Sequence, residues 1–352
     1  MFGVSAFVVL YFSLVERADA LSFSFQKKIT APLTFDSTFL PPDTSSISEQ
    51  ACKDAASRMK RILVPVSEEI STSGNVGISY IHWPAKGAKK SSLPLVMVHG
   101  FDSSALEYRR LGEKLASRGI DTYAVDLLGW GYTQLEGVSS FSAQAKVEAL
   151  KSFINTMLQG KPYAVAGASL GGAAVIELAA SNRDVCKGLI LIDAQGFVDG
   201  IGPMQYLPTP LASLGVQVLK SVPLRSSANQ MSYFDKETFA TEDALRVGRL
   251  HCLREGWSDA LVSFMQSGGF TPSTKVPQID VPSLILWGRE DGILDGNEFA
   301  NKFVDALKDG RLQWVEECGH VPHLEQPEQT AEAITSFLCE VSTGEETSIW
   351  PW

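Results

Sequence analysis

Short apolar runs recur along the chain, and none of them alternates strictly between apolar and polar positions. Each run is rich in Val, Ile, Leu or aromatic residues, which is typical of strands buried on both faces of a parallel sheet. The predicted strands are residues 94–100, 122–129, 163–168, 188–194, 283–288 and 312–317.

Segments with a helical period separate most of these runs. The predicted helices are residues 106–118, 142–158, 170–181, 297–307 and 328–340. Alternating strands and helices predict an α/β fold with a doubly wound, mostly parallel sheet. Because ligands bind beyond the carboxyl ends of the strands in such sheets, we expect any chemistry in the loops at that edge.

The regular alternation stops at residues 197–281, where no strand-like run occurs. Helical patterns, Pro-Leu pairs and a Gly-Gly step fill this interval instead. An insertion of this size between two core strands predicts a helical lid over a binding site. Several of its apolar residues either line a substrate pocket or form the lid's own core. They are Met204, Tyr206, Trp257, Phe264 and Met265.

These patterns divide the chain into four predicted parts. An amphipathic stretch at residues 48–62 precedes the first apolar run and has a helical period. The parts are a targeting presequence at 1–45, a helical segment at 46–72, the main domain at 73–341 with its lid at 197–281, and a tail at 342–352.

The presequence combines two kinds of targeting signal. Residues 2–15 are apolar and uncharged and are followed by Ala-Asp-Ala, which is typical of a secretory signal. From Leu21 onward the chain is rich in Ser, Thr, Phe and Pro and has no acidic residue before Asp36, as in transit peptides. This combination resembles the presequences of algae with complex plastids and predicts a plastid location. The alternatives are the secretory pathway or a buried N-terminal helix.

Composition and charge exclude some classes of protein. The chain has 352 residues, a formal net charge of −10 and a sequence pI near 5.1. Binding to nucleic-acid phosphates needs clustered Lys and Arg, so a nucleic-acid partner is not expected. The apolar run at residues 2–15 is shorter than the about 20 residues that cross a bilayer, so no stable membrane span is expected after processing.

The cysteines do not indicate a disulfide framework or a zinc site. Their number is odd, their spacings are wide and no C-x-x-C occurs. Most are expected to be buried thiols that act as small hydrophobic residues, and no metal site is expected. They are Cys52, Cys186, Cys252, Cys318 and Cys339.

Ser169 lies between a predicted strand and a predicted helix, within Gly167-Ala168-Ser169-Leu170-Gly171. This segment matches G-x-S-x-G, in which small residues allow a sharp turn that exposes the serine above the sheet. The pattern alone is also compatible with a tight turn that carries an idle serine. Its position after a buried strand favours Ser169 as a nucleophile.

A serine nucleophile needs a nearby base, and His320 is the preferred candidate among five histidines. It follows Gly319 in the loop after the last predicted strand, which can reach the serine. His323 in the same loop is the alternative, with a supporting or packing role. His99 follows another strand, where a backbone role is favoured, while the remaining two lie in an early strand and in the lid: His82 and His251.

The base needs a carboxylate to orient it, and Asp291 lies just beyond the buried strand at 283–288. Glu290 and Asp295 are its neighbours and rivals, but Asp295 is better placed to cap the following helix. Asp193, after the preceding core strand, is a further candidate. An oxyanion hole is predicted from the backbone N–H groups of Leu170 and of Phe101, which also borders the expected pocket.

Taken together, these segments resemble the α/β-hydrolase superfamily over about residues 77–341. The motifs are HGFDSS, DLLGWG, GASLGG, WGREDGILD and GHVPHLEQP, and the order Ser169, Asp291, His320 is the family's order. The chain is most similar to a plastid-type plant and algal branch in which GRLHCL and VSFMQSGG recur in the lid. The usual Gly-x-Gly-x-Ser reads GWGYT here, which is expected to affect packing.

The resemblance implies a cofactor-free hydrolase. Together with the predicted roles of Ser169, His320 and Asp291, it predicts a serine hydrolase that acts on a small or medium apolar ester, thioester or related carbonyl compound. Family members with epoxide hydrolase or dehalogenase activity carry aspartate at the position of Ser169, so those activities are not expected. The same parts serve C–C bond hydrolases, cofactor-free haloperoxidases and hydroxynitrile lyases. A receptor that binds a ligand without turnover is an alternative of a different class.

Overall fold

The computed structural model describes residues 39–40, 42–87 and 93–343, and the strands of these residues form one eight-stranded sheet. The strands are β1 (Met59–Pro65), β2 (Asn75–Trp83), β3 (Leu95–Val98), β4 (Thr122–Val125), β5 (Tyr163–Ala168), β6 (Cys186–Ile192), β7 (Ser283–Gly288) and β8 (Gly310–Val315). Their spatial order is β1-β2-β4-β3-β5-β6-β7-β8. β2 pairs antiparallel with β1 and β4, and the other pairings are parallel, so the predicted mostly parallel sheet is confirmed.

Helices cover both faces of this sheet. The α-helices of the described residues are α1 (Gln50–Ser57), α2 (Gly112–Ser117), α3 (Ala143–Leu158), α4 (Leu170–Ser181), α5 (Thr209–Lys220), α6 (Val222–Ser232), α7 (Lys236–Phe239), α8 (Glu242–Arg249), α9 (Trp257–Gln266), α10 (Gly296–Ala306), α11 (Pro322–Glu325) and α12 (Pro327–Thr343). The apolar sides of α3, α4 and α10 pack on one face, and those of α1, α2 and α12 pack on the other.

The central strands are buried from both sides, as their apolar runs predict. In β3, Val96 and Val98 belong to one apolar core, whereas Leu95 and Met97 belong to the core on the opposite face. All four side chains are inaccessible to solvent. Because successive side chains of a strand point to opposite faces, a strand covered on both faces needs apolar residues at every position.

The predicted helical segment at 46–72 is wrong over most of its length. The helix α1 occupies only Gln50–Ser57, and β1 begins two residues later. The sequence Ile62-Leu63-Val64 within β1 pairs antiparallel with β2, from Met59 opposite Ile81 to Pro65 opposite Asn75. Pairing with an existing strand buries this apolar run, and such tertiary contacts override a weak local helical period.

The chain between β6 and β7 contains helices and no strand over residues 193–282, all of which are described. We call residues 197–281 the helical insertion. It contains α5 to α9 together with short 3-10 helices, among them Gly202–Tyr206 and Leu250–Leu253. Its position between two core strands is as predicted, and its action as a lid stays a prediction.

The predicted tail lies largely outside the described residues, as does the presequence apart from a few positions near 39–45. Within the described ranges, none of the helices combines the length and hydrophobicity that a membrane crossing requires.

Candidate active site

Ser169 occupies the junction between β5 and α4 in a backbone conformation that serine rarely adopts. Its φ and ψ are 50° and −121°, whereas residues with a Cβ normally keep φ negative. The end of β6 fixes this conformation, because Ser169 N donates to Ile192 O at 3.0 Å and Gln195 N donates to Ser169 O at 2.8 Å. Hydrogen bonds to a neighbouring segment therefore stabilise the strained turn. Backbone strain at functional sites commonly depends on such surrounding contacts.

The glycines around Ser169 are required by close backbone contacts. A Cβ on Gly167 would overlap the carbonyl O of Gly171, and a Cβ on Gly171 would lie 2.5 Å from His99 O. A Cβ on Gly172 would overlap Ala194 after β6. The G-x-S-x-G pattern thus reflects a helix that begins directly against two neighbouring strand ends.

His320 and Asp291 form a hydrogen-bonded pair at the same edge of the sheet. His320 Nδ1 lies 2.8 Å from Asp291 Oδ2, and their side chains are 7% and 1% exposed. Two backbone N–H groups, of Ile293 and Leu294, donate to Asp291 Oδ1 at 2.7 and 3.1 Å. These bonds fix the carboxylate, which in turn orients the imidazole ring.

The loop that carries His320 packs against the helical insertion. His320 N donates to Ser232 O at 2.9 Å, and a Cβ on Gly319 would lie only 2.6 Å from the same oxygen. Glycine is therefore needed directly before the histidine. The position of the ring depends on contacts with the end of α6 as well as on the sheet.

Burial and charge act in opposite directions on the ionisable groups of this pair. Burial alone would lower the pKa of His320, but the charge of Asp291 and their hydrogen bond outweigh it and raise the pKa. Burial alone would raise the pKa of Asp291, whereas the charge and hydrogen bond of His320 lower it. The pair therefore favours an ionised aspartate and a histidine that accepts a proton readily.

Asp193 lies behind this pair at the end of β6. Its carboxylate oxygen is within 4.8 Å of ligand atoms of Asp291 and His320, and Gly288 N donates to its Oδ1 at 3.0 Å. Burial, together with the charge of Asp291, raises the pKa of Asp193 well above its usual value. We therefore expect Asp193 to be protonated when Asp291 is ionised.

The other two rivals for the role of the acid have different partners. Cys318 N donates to Glu290 Oε2 at 2.9 Å, so Glu290 supports the loop before His320. Asp295 caps α10 and accepts from Asn297 N at 3.0 Å, as its position in the sequence predicts.

The histidines other than His320 also have partners elsewhere. His99 bonds with Gly100 O at 2.8 Å and accepts from the N–H of residue 127 at 3.1 Å, in agreement with a backbone role. His323 Nε2 lies 3.0 Å from Glu107 Oε1. His82 contacts Asp121 at 2.9 Å at the opposite end of the sheet.

Among the described residues no hydrogen bond joins Ser169 Oγ to His320. The serine and the ring share one edge of the sheet, at the carboxyl ends of β5 and β8, without forming a bonded pair. With Nδ1 taken by Asp291, Nε2 is the ring nitrogen left for a reacting group. Hydrogen bonds between catalytic groups are often long without substrate, so the missing bond is compatible with the predicted roles, which stay predictions.

The two N–H groups predicted to form an oxyanion hole belong to segments next to Ser169. A Cβ on Gly100 would lie 3.3 Å from Ser169 Cβ, which places the loop with Phe101 directly beside the serine. Leu170 is the first residue of α4, where N–H groups lack an acceptor within the helix. In the described part of the chain, neither the Phe101 N–H nor the Leu170 N–H donates to a protein acceptor.

The predicted pocket residues fall into two groups. Trp257, Phe264 and Met265 are buried in α9, and the Phe264 ring lies 6.5 Å from the Phe101 ring, centroid to centroid. Met204 is half-buried against the same apolar core. Tyr206 is 79% exposed, so the described residues bury it neither in a pocket nor in the core of the insertion, and its contact with substrate stays a prediction. It ends the short 3-10 helix Gly202–Tyr206 on the outer side of the insertion, which no sequence period indicates.

In the part of the chain that the structure describes, two groups of side chains bring potential metal ligands within 4.8 Å of one another: Asp193 with Asp291 and His320, and Asp102 with His251 and Cys252. In the second group the guanidinium of Arg225 contacts both Asp102 Oδ2 and Cys252 Sγ. The protein's own cation therefore occupies the place that a metal ion would take.

Two carboxylates of the HGFDSS region, the buried Asp102 and the partly buried Glu107, were not singled out by any sequence pattern. Glu107 Oε2 accepts from Gly100 N at 3.1 Å, and its other oxygen pairs with His323. Burial alone would raise the pKa of Glu107, but the hydrogen bond and charge of His323 lower it to about 2. Asp102, directly after Phe101, bonds with His251 at 3.0 Å. In the sequence, only the nearness of Glu107 and Asp102 to Phe101 indicates that they support this loop.

A sequence profile of the Alpha/beta hydrolase family matches residues 95–333, which is more than half of the chain. The chain belongs to the alpha/beta hydrolase family. The match spans all three residues predicted to form the triad and both predicted oxyanion donors, as well as the whole helical insertion.

Three known proteins are similar to this chain over most of its length. The alpha/beta hydrolase domain-containing protein VTE7 of Arabidopsis thaliana is 33% identical over 313 residues, which cover 89% of this chain and 93% of VTE7. Lipase 1 of Psychrobacter immobilis is 26% identical over 265 residues, 72% of this chain and 79% of the lipase. A thermophilic esterase from Thermogutta terrifontis has a TM-score of 0.64 at 20% identity and covers 81% of this chain and 100% of its own. This last similarity supports the fold.

Proposed function

We propose that this alpha/beta hydrolase is a serine hydrolase with Ser169 as nucleophile, His320 as base and Asp291 as the orienting acid. The observation that carries the proposal is the buried bond of 2.8 Å between His320 Nδ1 and Asp291, at the sheet edge where Ser169 stands in a strained turn. A bonded aspartate fixes the tautomer of the ring and stabilises its charge after protonation.

The reaction follows from these positions. His320 Nε2 takes the proton of Ser169 Oγ as the oxygen attacks the substrate carbonyl, and the N–H groups of Phe101 and Leu170 stabilise the oxyanion that forms. When the tetrahedral intermediate collapses, His320 gives the proton to the leaving alcohol or thiol. Water then repeats the sequence on the acyl-enzyme, so that the acid is released and Ser169 recovers its proton.

The aromatic neighbours of Phe101 support an apolar substrate. Phe101 packs edge-on against Trp130 with ring centroids 5.4 Å apart, and Phe264 packs against Trp130 at 4.9 Å. Aromatic and aliphatic walls with few polar groups are typical of sites for small apolar ligands. We therefore propose a small or medium apolar ester or thioester as substrate.

Activity-based labelling tests the nucleophile. Wild-type protein is expected to react with a fluorophosphonate probe and to hydrolyse p-nitrophenyl esters, with a preference among graded acyl chains. The Ser169→Ala variant is expected to fold normally and to lose both properties, while Ser181→Ala at the other end of α4 keeps them. Labelling that persists in Ser169→Ala would identify another nucleophile, and tight ester binding without turnover would support a receptor.

We also propose a plastid location. It rests on the composition of residues 1–45 and on the plant origin of the similar VTE7 protein. N-terminal sequencing of the mature protein tests it, since a start at Leu21 would indicate the secretory route alone, and a later start would indicate removal of the transit-like stretch.

A further inference from the structure

A second buried cluster lies beside the residue that we propose as an oxyanion donor. Asp102 follows Phe101 directly, its side chain is 2% exposed, and its φ is 46°. Its carboxylate accepts from Trp257 Nε1 at 2.8 Å and bonds with His251 Nε2 at 3.0 Å. Arg225 forms an ion pair with its other oxygen.

The partners of Asp102 all come from the helical insertion. Arg225 lies in α6, His251 in the 3-10 helix Leu250–Leu253, and Trp257 at the start of α9. Arg225 also donates from Nη1 to the backbone O of Asp102 at 3.3 Å. The insertion therefore contacts the main chain of the loop as well as its side chain.

These contacts determine the position of the loop more than they add stability. A buried ion pair contributes little net stability, but the loss of one partner leaves the other charge buried and unpaired. Asp102 adopts a left-handed backbone conformation, which carries a cost for a residue other than glycine. A carboxylate with three donors from three elements fixes both the conformation and the place of this turn.

We propose that Asp102 is a positioning residue, which fixes the loop with the Phe101 N–H against the helical insertion and so aims this donor at the reacting carbonyl. The inference rests on the proposed function, because the donor acts on the oxyanion that the proposed reaction forms. Asp102 does not touch the reacting atoms, and its effect passes through one peptide bond. The insertion would thereby determine the geometry of the oxyanion hole.

Kinetics of matched variants test this role. In Asp102→Asn and Arg225→Met we expect kcat per active site titrated with fluorophosphonate to fall by about 10- to 100-fold, since displacement or loss of one donor has effects of this size. KM for a short p-nitrophenyl ester should change little. The control is Asp121→Asn, which removes an aspartate–histidine pair at the other end of the sheet and should keep the wild-type kcat.

A trifluoromethyl ketone separates positioning from a merely structural role. Addition of Ser169 Oγ to the carbonyl of this ketone forms a tetrahedral oxyanion. The alcohol with the same carbon skeleton has no carbonyl and binds without forming one. We expect Asp102→Asn to lower the affinity for the ketone by the same factor as it lowers kcat/KM. The affinity for the alcohol should stay unchanged. Trp257→Phe removes the Nε1 donor to Asp102 and keeps an aromatic ring at this position. It replaces Asp102→Asn in this test if that variant does not fold.

Two results would overturn the proposal. The first is a normal kcat and normal ketone affinity in all folded variants, even where the melting temperature falls. The second is equal amide hydrogen exchange in the wild type and in Asp102→Asn at residues 100–104 and 222–232. Wild-type protein without labelling or turnover would refute the proposed function instead, and the exchange experiment would then decide whether Asp102 anchors the loop.

Discussion

Among the described residues, two buried and hydrogen-bonded aspartate–histidine pairs have nearly the same length and very different surroundings. Asp291 and His320 are 2.8 Å apart at the sheet edge, and Asp102 and His251 are 3.0 Å apart under the helical insertion. Arg225 and Trp257 share the second carboxylate, whereas the described residues place no Lys or Arg on Asp291. An aspartate–histidine pair is thus suited to catalysis only where its surroundings leave it free to exchange a proton.

The ring nitrogens show the same difference. His320 bonds with Asp291 through Nδ1, so its Nε2 is available at the edge where Ser169 lies. His251 uses Nε2 for Asp102, and its Nδ1 is buried without a hydrogen-bond partner in the described part of the chain. Burial alone would lower the pKa of His251, but the neighbouring Cys252 and Asp102 raise it to about 9. We therefore expect His251 to stay protonated where His320 exchanges its proton.

Replacement of the two histidines should separate the pairs most strongly. His320→Gln is expected to lower kcat by about 10⁴-fold or more, because the general base is lost. His251→Gln should lower it by at most about 100-fold, the cost of a displaced oxyanion donor. Steady-state kinetics with a p-nitrophenyl ester measure both, with His82→Gln as the control. Equal losses in the two variants would contradict the assignment of the base.

The orienting acid should be nearly as important as the base. Asp291→Asn is expected to lower kcat by about 10⁴-fold, since an amide favours the wrong tautomer of the ring. Asp295→Asn is the matched control in the same loop, because it removes only a helix cap, and its kcat should stay close to wild type. A near-normal kcat in Asp291→Asn would transfer the role to Asp193.

In the second pair an effect on stability is expected beside the effect on kcat. Asp102→Asn leaves Arg225 buried without its counterion and should lower the free energy of unfolding by about 3–5 kcal/mol. Asp121→Asn removes a partly exposed pair and should cost about 1 kcal/mol or less. Urea denaturation of the two variants measures the difference. Similar losses of the free energy of unfolding in the two variants would show that the buried cluster contributes no more to stability than the partly exposed pair.

The smallest expected difference between the two pairs is in the pH dependence of catalysis. Since the pKa of His320 is raised above its ordinary 6.5, kcat/KM should fall as the pH drops through a value above 6.5, where the base becomes protonated. Asp291→Asn should move this limb to lower pH, because it removes the charge that raises the pKa. Asp102→Asn should leave the limb in place. A limb below pH 6 in the wild type would contradict the pairing with Asp291.

Local sequence patterns gave the strands β3 to β8 and the strand-to-helix turn at Ser169, because period and turn chemistry act within a few residues. They gave the wrong structure for Met59–Pro65, where the antiparallel pairing with β2 overrides a helical period. They also could not show that Tyr206 faces solvent, since several faces of the insertion are apolar. The proposed catalytic roles of Ser169, His320 and Asp291 stay predictions until the variants are measured.

The sequence by itself determined the alternation of strands and helices, the glycines that the Ser169 turn requires and the presence of acid and base after successive strands. Only the tertiary structure decided which acid meets which base, because Asp291 and Glu290 are neighbours in the chain and differ in the direction of their side chains. It also decided that Asp102 meets Arg225, 123 residues away. Contacts over such distances depend on how helices pack on the sheet, and no local period encodes that packing.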